Sequence, residues 1–329
     1  MGHDRPQTIL LTGAAGFIGY HVANKLIDAG INVVGVDNLN DYYPVSLKQD
    51  RLERLNARAG FRFHKIDIAD HKGLFAVEGV AAADAVIHLA AQAGVRYSID
   101  NPFAYAQSNL VGHLSVLELV RHHPKKPRLV YASSSSVYGN TATAPYSEQD
   151  RVDHPVSLYA ATKRSNELLS ESYTNLYGMD QIGLRFFTVY GPWGRPDMAY
   201  WSFTRDIIAG TPIRVFNNGQ LERDFTFIDD IVTGVVATAL QSPATEQPKH
   251  RVYNIGNNRP VELGRFIAII EDAVGRKAER IMLPMQQGDV KATCANIDAL
   301  QRDYGFTPST RLEDGVPAFV RWYRDYTKT

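Results

Sequence analysis

Residues 8–19 have the sequence TILLTGAAGFIG, in which a short apolar run is followed by three glycines at intervals of three. From Phe17 onward, apolar residues recur at steps of three and four, which is typical of one face of a helix. Gly30 ends that pattern, and the β-branched run at 31–36 is followed by Asp37. The sequence therefore predicts a strand, a glycine turn, a helix and a second strand in this order.

The first 190 residues continue this alternation of short apolar runs and helical patterns. Strands of a parallel sheet are buried on both faces and appear as continuous apolar runs. The alternation therefore predicts an α/β fold with a Rossmann-type, doubly wound parallel sheet. The predicted strands are 61–68, 84–89, 128–132, 181–187 and 252–255, and the predicted helices are 103–122, 157–177, 228–240 and 316–326.

The three glycines, Gly13, Gly16 and Gly19, form the pattern G-x-x-G-x-x-G between the first strand and the first helix. Glycine at these positions permits a tight turn and lets the backbone approach a pyrophosphate, which the helix N-terminus also favours. Asp37, 18 positions after Gly19, ends the next strand. A carboxylate there accepts hydrogen bonds from ribose hydroxyls and repels a 2′-phosphate. We therefore predict an NAD site, the alternative being a βαβ turn that binds no phosphate.

Two further strand ends carry residues suited to a cofactor. Asp67 ends the third predicted strand, where it would meet the adenine edge or, equally, cap a helix. Leu89, Ala90 and Ala91 follow the fourth, and the two alanines leave room for a ligand, although small residues also let helices pack closely. These features support the NAD site without establishing it.

Beyond Tyr190 the predicted elements are shorter, and we expect two interleaved parts rather than one clean boundary. A Rossmann domain that binds NAD is assigned to 1–189 and about 226–258. A smaller C-terminal domain for the substrate is assigned to 190–225 and about 259–329.

The composition excludes several classes of partner. The chain has 35 Lys and Arg against 35 Asp and Glu, so it offers no general attraction for nucleic acid or an anionic membrane. The single cysteine, Cys294, permits neither an internal disulfide nor a thiolate metal cluster, and we expect it to be a packing residue. The histidines show no metal-ligand spacing, so we expect no metal site. Residues 1–7 lack the apolar run of a signal peptide, and no run approaches the roughly 20 apolar residues of a membrane span, so we expect a cytoplasmic protein.

A candidate reaction centre lies in the helix predicted at 157–177. Tyr159 and Lys163 are four positions apart and share one face, where the ammonium can approach the phenol and favour the phenolate of a general base. A Tyr–Lys pair at this spacing is more often a solvated helix face. The serine run at 133–136 favours chemistry, because it follows a buried strand at the edge where α/β sheets bind ligands. A serine hydroxyl there would bridge the phenolate and a substrate hydroxyl.

The glycine pattern, Asp37, the serine run and the Y-x-x-x-K motif together resemble the extended short-chain dehydrogenase/reductase family over essentially the whole chain. Within that family the sequence is similar to nucleotide-sugar 4-epimerases, and most closely to UDP-glucuronate 4-epimerases. The stretches that carry this resemblance are DNLNDYY at 37–43 with LK at 47–48, AAQAGVRYS at 90–98, PVSLYAATK at 155–163 and RFFTVYGPWGRPDMA at 185–199. Pro44 departs from the pattern, since similar enzymes more often have Asp there.

The resemblance implies reversible C4 epimerisation of UDP-glucuronate to UDP-galacturonate through a 4-keto intermediate, with tightly held NAD. Tyr159 would take the proton of the C4 hydroxyl, assisted by Ser134 or Ser136, and Lys163 would hydrogen-bond the cofactor ribose. Arg195 would hold the sugar carboxylate, since a guanidinium suits bidentate capture and a fixed carboxylate suppresses loss of carbon dioxide from the β-keto acid.

The residues implied to bind NAD are Gly13, Gly16, Phe17, Ile18, Gly19, Asp37, Asn38, Asn40, Asp67, Ile68, Leu89, Ala90, Ala91, Gln92, Asn109, Tyr159 and Lys163. Those implied to bind the substrate are Arg96, Ser134, Ser135, Ser136, Thr188, Arg195, Val215, Phe216, Arg223 and Asp289.

Among the substrate residues, Arg223 matches the family's diphosphate-binding arginine and Asp289 its ribose contact. Val215 and Phe216 resemble the segment that packs on uracil, although core residues at these positions need no ligand. The family further implies a homodimer formed through the long helices 103–122 and 157–177, whose apolar stripes would equally face the sheet.

Three alternatives remain open at this point. A UDP-glucuronate decarboxylase or a UDP-glucose 4-epimerase would keep the fold, although the absence of an acidic residue at 134–136 disfavours elimination and decarboxylation. A reductase that releases its cofactor would also keep the fold. A dinucleotide-binding sensor without turnover would commonly lack Tyr159 or Lys163, and both are present.

Overall fold

The computed structural model describes residues 7–140, 143–286 and 289–329 of the 329-residue chain. Residues 1–6, which belong to the segment where no signal peptide is expected, lie outside the described residues. Within the described ranges, no helix combines the length and the apolarity that crossing a bilayer requires.

Twelve strands are described. They are β1 (Thr8–Thr12), β2 (Asn32–Asp37), β3 (Phe61–Lys65), β4 (Ala85–His88), β5 (Arg128–Ser134), β6 (Gln181–Phe186), β7 (Thr188–Tyr190), β8 (Ile213–Phe216), β9 (Glu222–Phe227), β10 (His250–Ile255), β11 (Pro260–Glu262) and β12 (Arg280–Leu283).

The described α-helices also number twelve. They are α1 (Phe17–Asp28), α2 (Val45–Asn56), α3 (His71–Phe75), α4 (Tyr97–Asp100), α5 (Pro102–Tyr105), α6 (Gly112–His122), α7 (Leu158–Tyr177), α8 (Ala199–Ala209), α9 (Ile228–Leu240), α10 (Leu263–Val274), α11 (Asp298–Tyr304) and α12 (Leu312–Thr327).

Seven strands form one parallel sheet in the order β10-β6-β5-β4-β1-β2-β3, which is the doubly wound Rossmann arrangement and confirms the predicted fold class. Every residue of β6 is buried, and so are all residues of β1 except Thr8, because helices cover both faces of the sheet. The strand order reverses between β1 and β4. The carboxyl ends of these two strands therefore border the crevice where such sheets bind ligands.

The helix predicted at 103–122 is present but not uniform. It begins as α5, continues as a π-helical segment over Ala106–Val111 and ends as α6. A π-helical turn inserts an extra residue, leaves backbone groups without their usual helical partners and is frequent at functional sites. The side chain of Asn166 compensates here by donating to the Asn109 carbonyl at 2.6 Å. The predicted strand 61–68 also differs, since β3 ends at Lys65.

Two small sheets lie outside the large one. Strands β7, β9 and β11 form the first, and β8 pairs with β12 in the second. Between them the chain returns to the large sheet through α9, which packs against α1, and through β10 at the sheet edge. This order of elements is compatible with two interleaved parts, whose division near 189, 226 and 258 stays a prediction.

Candidate active site

The glycine turn after β1 is shaped by two close backbone approaches. Gly13 has φ of 75°, and a Cβ on it would lie 2.7 Å from the Ala90 nitrogen after β4. A Cβ on Gly19, in the first turn of α1, would overlap the Gly13 carbonyl oxygen. Glycine is therefore required here for packing at the junction of β1, β4 and α1, where the helix N-terminus faces the crevice.

Asp37, at the end of β2, is buried beside this turn. Its carboxylate accepts hydrogen bonds from the backbone nitrogens of Ala15 at 3.2 Å and Leu39 at 2.8 Å. Burial raises the pKa of Asp37, while the Leu39 hydrogen bond and the charge of Lys48 act in the opposite direction. The carboxylate is thus fixed next to the glycine turn and retains lone pairs for further donors.

Two of the predicted cofactor residues contact one another, and a third is placed behind the wall of the site. Asn38 donates to Asp67 at 3.0 Å, and Asp67 also accepts from the Ala69 nitrogen, so it closes the turn that precedes α3. Asn109 is buried and bonds to both the backbone nitrogen and the carbonyl of Gln92, at 2.8 and 3.0 Å. It positions the chain after β4 rather than facing the crevice.

The predicted reaction centre is assembled at the end of β5 and the start of α7. The Ser134 hydroxyl lies close enough to the Tyr159 phenol to lower its pKa by hydrogen bonding, and the Ser136 hydroxyl donates to Ser134 at 2.9 Å. Burial raises the pKa of Tyr159, whereas the Ser134 hydrogen bond and the charge of Arg195 lower it. Ser134 therefore makes the direct contact with the phenol, and Ser136 lies behind it in a short hydroxyl chain.

Lys163 shares the helix face of Tyr159, as predicted, but its ammonium donates to the Ala132 carbonyl at 2.9 Å rather than to the phenol. Burial lowers the pKa of Lys163 to about 8, partly offset by the negative charge of Glu167 one turn later. Glu167 is itself held by a buried ion pair with Arg185 at 2.8 Å. Among the described residues, the cation that lowers the pKa of the Tyr159 phenol is therefore Arg195.

Arg195 lies in the loop after β7, and the backbone just before it is tied to the cofactor side of the crevice. The guanidinium of Arg51 in α2 is fully buried and donates to the Trp193 and Gly194 carbonyls at 2.6 and 3.0 Å. Its Nη1 also donates to the Ala15 carbonyl in the glycine turn at 2.8 Å. The glycine turn and the Arg195 loop thus share one buried cation. The Arg195 side chain forms an ion pair with Asp197 at 2.9 Å.

Charged and aromatic groups pair with each other farther along the crevice. Arg223 in β9 forms an ion pair with Asp289 at 2.6 Å, and Arg96 stacks on the Phe216 ring with its guanidinium carbon 5.3 Å from the ring centroid. Val215 is buried in the core. The residues predicted to bind phosphate and ribose are therefore brought together, and Arg96 and Phe216, both predicted to bind substrate, contact one another.

One cavity of about 430 Å³ joins the glycine turn, the Tyr159–Ser134 pair, Arg195 and the Arg223–Asp289 pair. Val215, Phe216, Arg96 and Asn109 are not part of its wall. The predicted site residues that line it are Gly13, Gly16, Phe17, Ile18, Gly19, Asp37, Asn38, Asn40, Asp67, Ile68, Leu89, Ala90, Ala91, Gln92, Ser134, Ser135, Ser136, Tyr159, Lys163, Thr188, Arg195, Arg223 and Asp289.

Sequence reasoning missed several residues of the wall. Tyr42, Tyr43 and Lys48 follow Asp37 in a stretch that the family resemblance had already indicated, so a signal was present. Met198 lies in the quoted stretch 185–199, so the same signal was present for it. Thr293 carries no such signal, because tertiary packing alone brings it to the cavity. Cys294 is buried next to the wall, and burial raises the pKa of its thiol to about 11, as suits a packing residue.

Comparison with known proteins agrees with this geometry. The chain is 47% identical over 95% of its length to a probable UDP-glucuronate 4-epimerase of Rhizobium meliloti, covering 96% of that protein. It is also 47% identical over 98% of its length to UDP-glucuronate 4-epimerase 2 of Arabidopsis thaliana, of which 76% is covered. The crystal structure of UDP-glucuronic acid 4-epimerase from Bacillus cereus with UDP-glucuronic acid and NAD superimposes with a TM-score of 0.89 at 33% identity, over 97% of this chain and 99% of that one. The model of the NAD dependent epimerase/dehydratase family matches residues 9–256, and the chain belongs to that family.

Proposed function

We propose that this protein is an NAD-dependent UDP-glucuronate 4-epimerase, an isomerase that interconverts UDP-glucuronate and UDP-galacturonate through a 4-keto intermediate. The observation that carries this proposal is one cavity that joins the glycine turn, the Tyr159–Ser134 pair and the Arg195 guanidinium. Relatives and solved structures with this name match nearly the whole chain.

The cofactor end of the cavity fits a dinucleotide. Gly13 and Gly19 pack against neighbouring backbone so closely that a Cβ has no space, which fixes α1 at the end of β1. The N–H groups at the start of that helix suit a pyrophosphate. Asp37 offers a buried carboxylate for the adenosine ribose hydroxyls, and repulsion of a 2′-phosphate favours NAD over NADP. NAD held by these residues would supply the hydride acceptor, and then the hydride donor, for C4 of the sugar.

Proton transfer is assigned to Tyr159 and Ser134. The phenolate takes the proton of the C4 hydroxyl as the carbonyl forms, and the phenol gives it back when the hydroxyl is restored. Ser134 bridges the phenol and the substrate, while Ser136 orients Ser134 through their 2.9 Å hydrogen bond. Arg195 favours the phenolate because its charge lowers the pKa of Tyr159.

The uronate is assigned to the Arg195 end of the cavity. The 4-keto intermediate is a β-keto acid that can lose carbon dioxide when its carboxylate aligns with the carbonyl π system. A guanidinium that fixes the carboxylate in another rotamer prevents this loss. Thr188 and Ser135 are further hydroxyl donors in the wall of the same cavity.

The nucleotide is assigned to the far end of the cavity. Arg223 suits the diphosphate, and Asp289, its partner at 2.6 Å, suits the uridine ribose. Phe216, which lies outside the cavity wall and is stacked on Arg96, is assigned to uracil, and buried Val215 supports that strand from the core.

The alternatives are less favoured. An epimerase for neutral sugars would not need a guanidinium close enough to Tyr159 to lower its pKa. A decarboxylase would not need a group that fixes the carboxylate. A sensor without turnover does not explain why Tyr159, Ser134 and Lys163 converge on one cavity.

Proton NMR of UDP-glucuronate incubated with purified protein, without added cofactor, tests the function. We expect UDP-galacturonate, identified by the H4 couplings of an axial C4 hydroxyl. That result would also show that NAD is retained through purification. A pentose product would support the decarboxylase, and an unchanged spectrum with NAD supplied would contradict the proposed substrate.

A homodimer and a cytoplasmic location remain part of the proposal. Several apolar side chains of α5, α6 and α7 are exposed, among them Phe103 (83%), Leu168 (54%) and Leu176 (66%). Exposed apolar side chains on helices that pack against each other support an interface here. Light scattering coupled to gel filtration tests it, since Leu168→Glu should shift a dimer towards monomer. The single cysteine suits a reducing compartment.

A further inference from the structure

The Arg195 guanidinium is bonded to Asp197, which in turn accepts a hydrogen bond from a side chain of another loop. Its Nη2 donates to Asp197 Oδ2 at 2.9 Å, and the Tyr42 hydroxyl donates to the same oxygen at 3.2 Å. Tyr42 belongs to the loop after β2, whereas Arg195 and Asp197 belong to the loop after β7. The three side chains therefore form a chain of contacts across one end of the cavity.

Tyr42 is fixed by its surroundings. A Cβ on Gly94 would lie 2.7 Å from the Tyr42 hydroxyl oxygen, so the absence of a side chain at position 94 makes room for the phenol. The ring packs against Tyr97 with a centroid separation of 4.7 Å. Burial and the negative charge of Asp197 raise the pKa of Tyr42 to about 12, so its hydroxyl remains a donor at neutral pH.

The contact with Asp197 leaves most of the guanidinium available. Within the described ranges, neither Nε nor Nη1 of Arg195 donates a hydrogen bond, while Nη2 bonds to Asp197 and to the Met198 sulfur. Three of the five N–H groups can therefore meet a ligand carboxylate. Because the negative charge of Asp197 offsets the positive charge of Arg195, the pair orients a ligand carboxylate more than it attracts one.

We propose that Tyr42 and Asp197 are positioning residues that fix the Arg195 guanidinium, so that the carboxylate of the 4-keto intermediate is kept out of line with the carbonyl π system. The inference rests on the proposed function, and it assigns to these two residues the control of a side reaction, the decarboxylation of the 4-keto intermediate. In that reaction the bond between C5 and the carboxyl carbon breaks, and its electron pair enters an enolate at C4 and C5. Carbon dioxide leaves, and water returns a proton to C5.

The test is the partition of product, measured on the NAD-containing enzyme with UDP-glucuronate labelled with carbon-13 at the carboxyl group. Labelled carbon dioxide and UDP-galacturonate are quantified together in wild type, Tyr42→Phe, Asp197→Asn and Arg195→Ala. We expect the decarboxylated fraction to rise about threefold in Tyr42→Phe and about tenfold in Asp197→Asn, as the loss of a neutral and of a charged hydrogen bond implies. The KM should change less than the partition does.

Asp289→Asn is the matched control, since it removes the carboxylate of another Arg–Asp pair in the same cavity. It should raise the KM and leave the decarboxylated fraction at the wild-type value. Thermal unfolding and NAD content identify a variant with a damaged fold, and Tyr42→Phe, which loses a single oxygen, keeps the test valid if Asp197→Asn is damaged.

Two outcomes overturn the inference while the proposed function stands. In the first, both variants partition as wild type does although Arg195→Ala releases carbon dioxide. In the second, Asp197→Asn lowers the KM for UDP-glucuronate with unchanged partition, so that Asp197 competes with the substrate carboxylate. If wild type forms no UDP-galacturonate, the proposed function itself fails.

Discussion

At the glycine turn, on the cofactor side of the cavity, the defining contacts involve backbone atoms, whereas on the substrate side, at Arg195 and at Arg223, they join charged side chains. Gly13 and Gly19 approach the backbone of neighbouring segments so closely that a Cβ would collide with it. Arg195 and Arg223, by contrast, each form an ion pair with a carboxylate of this chain, at 2.9 and 2.6 Å. The cofactor end is thus determined by shape, and the substrate end by charges that already have partners.

This difference has an energetic consequence. A bound dinucleotide meets N–H groups whose positions the sheet and α1 have already fixed, so little further ordering is needed. A UDP-sugar meets arginines that must share or exchange their carboxylate partners, which reduces the net gain of each ion pair. We therefore expect the cofactor end to contribute most of the binding affinity, and the substrate end to determine which UDP-sugar is bound.

The largest effect is expected at Tyr159, where the two ends meet. Tyr159→Phe removes the acid–base group and should lower kcat by about 10³-fold, within the range for loss of general acid–base catalysis. NAD content and the KM for UDP-glucuronate should stay near wild type, as single-turnover kinetics and cofactor extraction would show. A residual kcat within tenfold of wild type would assign proton transfer to another group.

The next effect tests the dependence of the cofactor end on shape. Gly19→Ala places a methyl group against the Gly13 carbonyl, so we expect NAD to be lost on purification and its affinity to fall about hundredfold, equivalent to about 3 kcal/mol. Gly264→Ala, at a helical glycine where a Cβ meets nothing within 4 Å, is the control. Equal NAD content in both variants would show that close approach at Gly19 is not required.

A smaller effect tests the dependence of the substrate end on charge. Arg223→Met should raise the KM for UDP-glucuronate about tenfold to hundredfold, the usual value of a charged hydrogen bond to phosphate, with kcat changed much less. NAD content should remain that of wild type. If Arg223→Met loses NAD instead, the two ends of the cavity are not independent in the way that their contacts suggest.

A modest effect concerns pH. Burial lowers the pKa of Lys163 to about 8, so its ammonium loses its proton, and its positive charge, as the pH rises through about 8. If that charge supports catalysis, the kcat of wild type should fall above this pH, and the fall should be absent in Lys163→Arg, whose guanidinium stays charged. An identical alkaline limb in both enzymes would assign the fall to another group.

The smallest effect is expected at Cys294. Its thiol is buried and its pKa is raised to about 11, so Cys294→Ala should leave kcat and KM unchanged and lower the free energy of unfolding by about 1 kcal/mol. Denaturant unfolding and steady-state kinetics measure both. A fall in kcat above tenfold would mean that the thiol takes part in the reaction.

The sequence was most informative where structure depends on local pattern. The glycine turn, the alternation of strands and helices, and Tyr159 with Lys163 on one helix face all follow from spacing within one or two elements. The Rossmann sheet and the crevice at β1 and β4 could be predicted from them, because parallel βαβ units allow few arrangements.

Contacts between distant segments could not be predicted in this way. Arg223 and Asp289 are 66 positions apart, and Tyr42 and Asp197 are 155 apart, so no spacing rule connects them. In the π-helical segment, the Asn109 carbonyl accepts from the side chain of Asn166, which lies 57 positions later. The bond from Lys163 to the Ala132 carbonyl likewise depends on how α7 packs against β5.

The buried guanidinium of Arg51 limits how this cavity can be redesigned. It donates to three carbonyls and to the Tyr43 hydroxyl, and replacing it by an apolar side chain would leave these acceptors without their donor. The loop that carries Arg195 is therefore not a separate module. A loop grafted from an enzyme with another sugar preference must present carbonyls where those of Trp193 and Gly194 now lie, or the change made for the sugar will also disturb the turn that faces the cofactor.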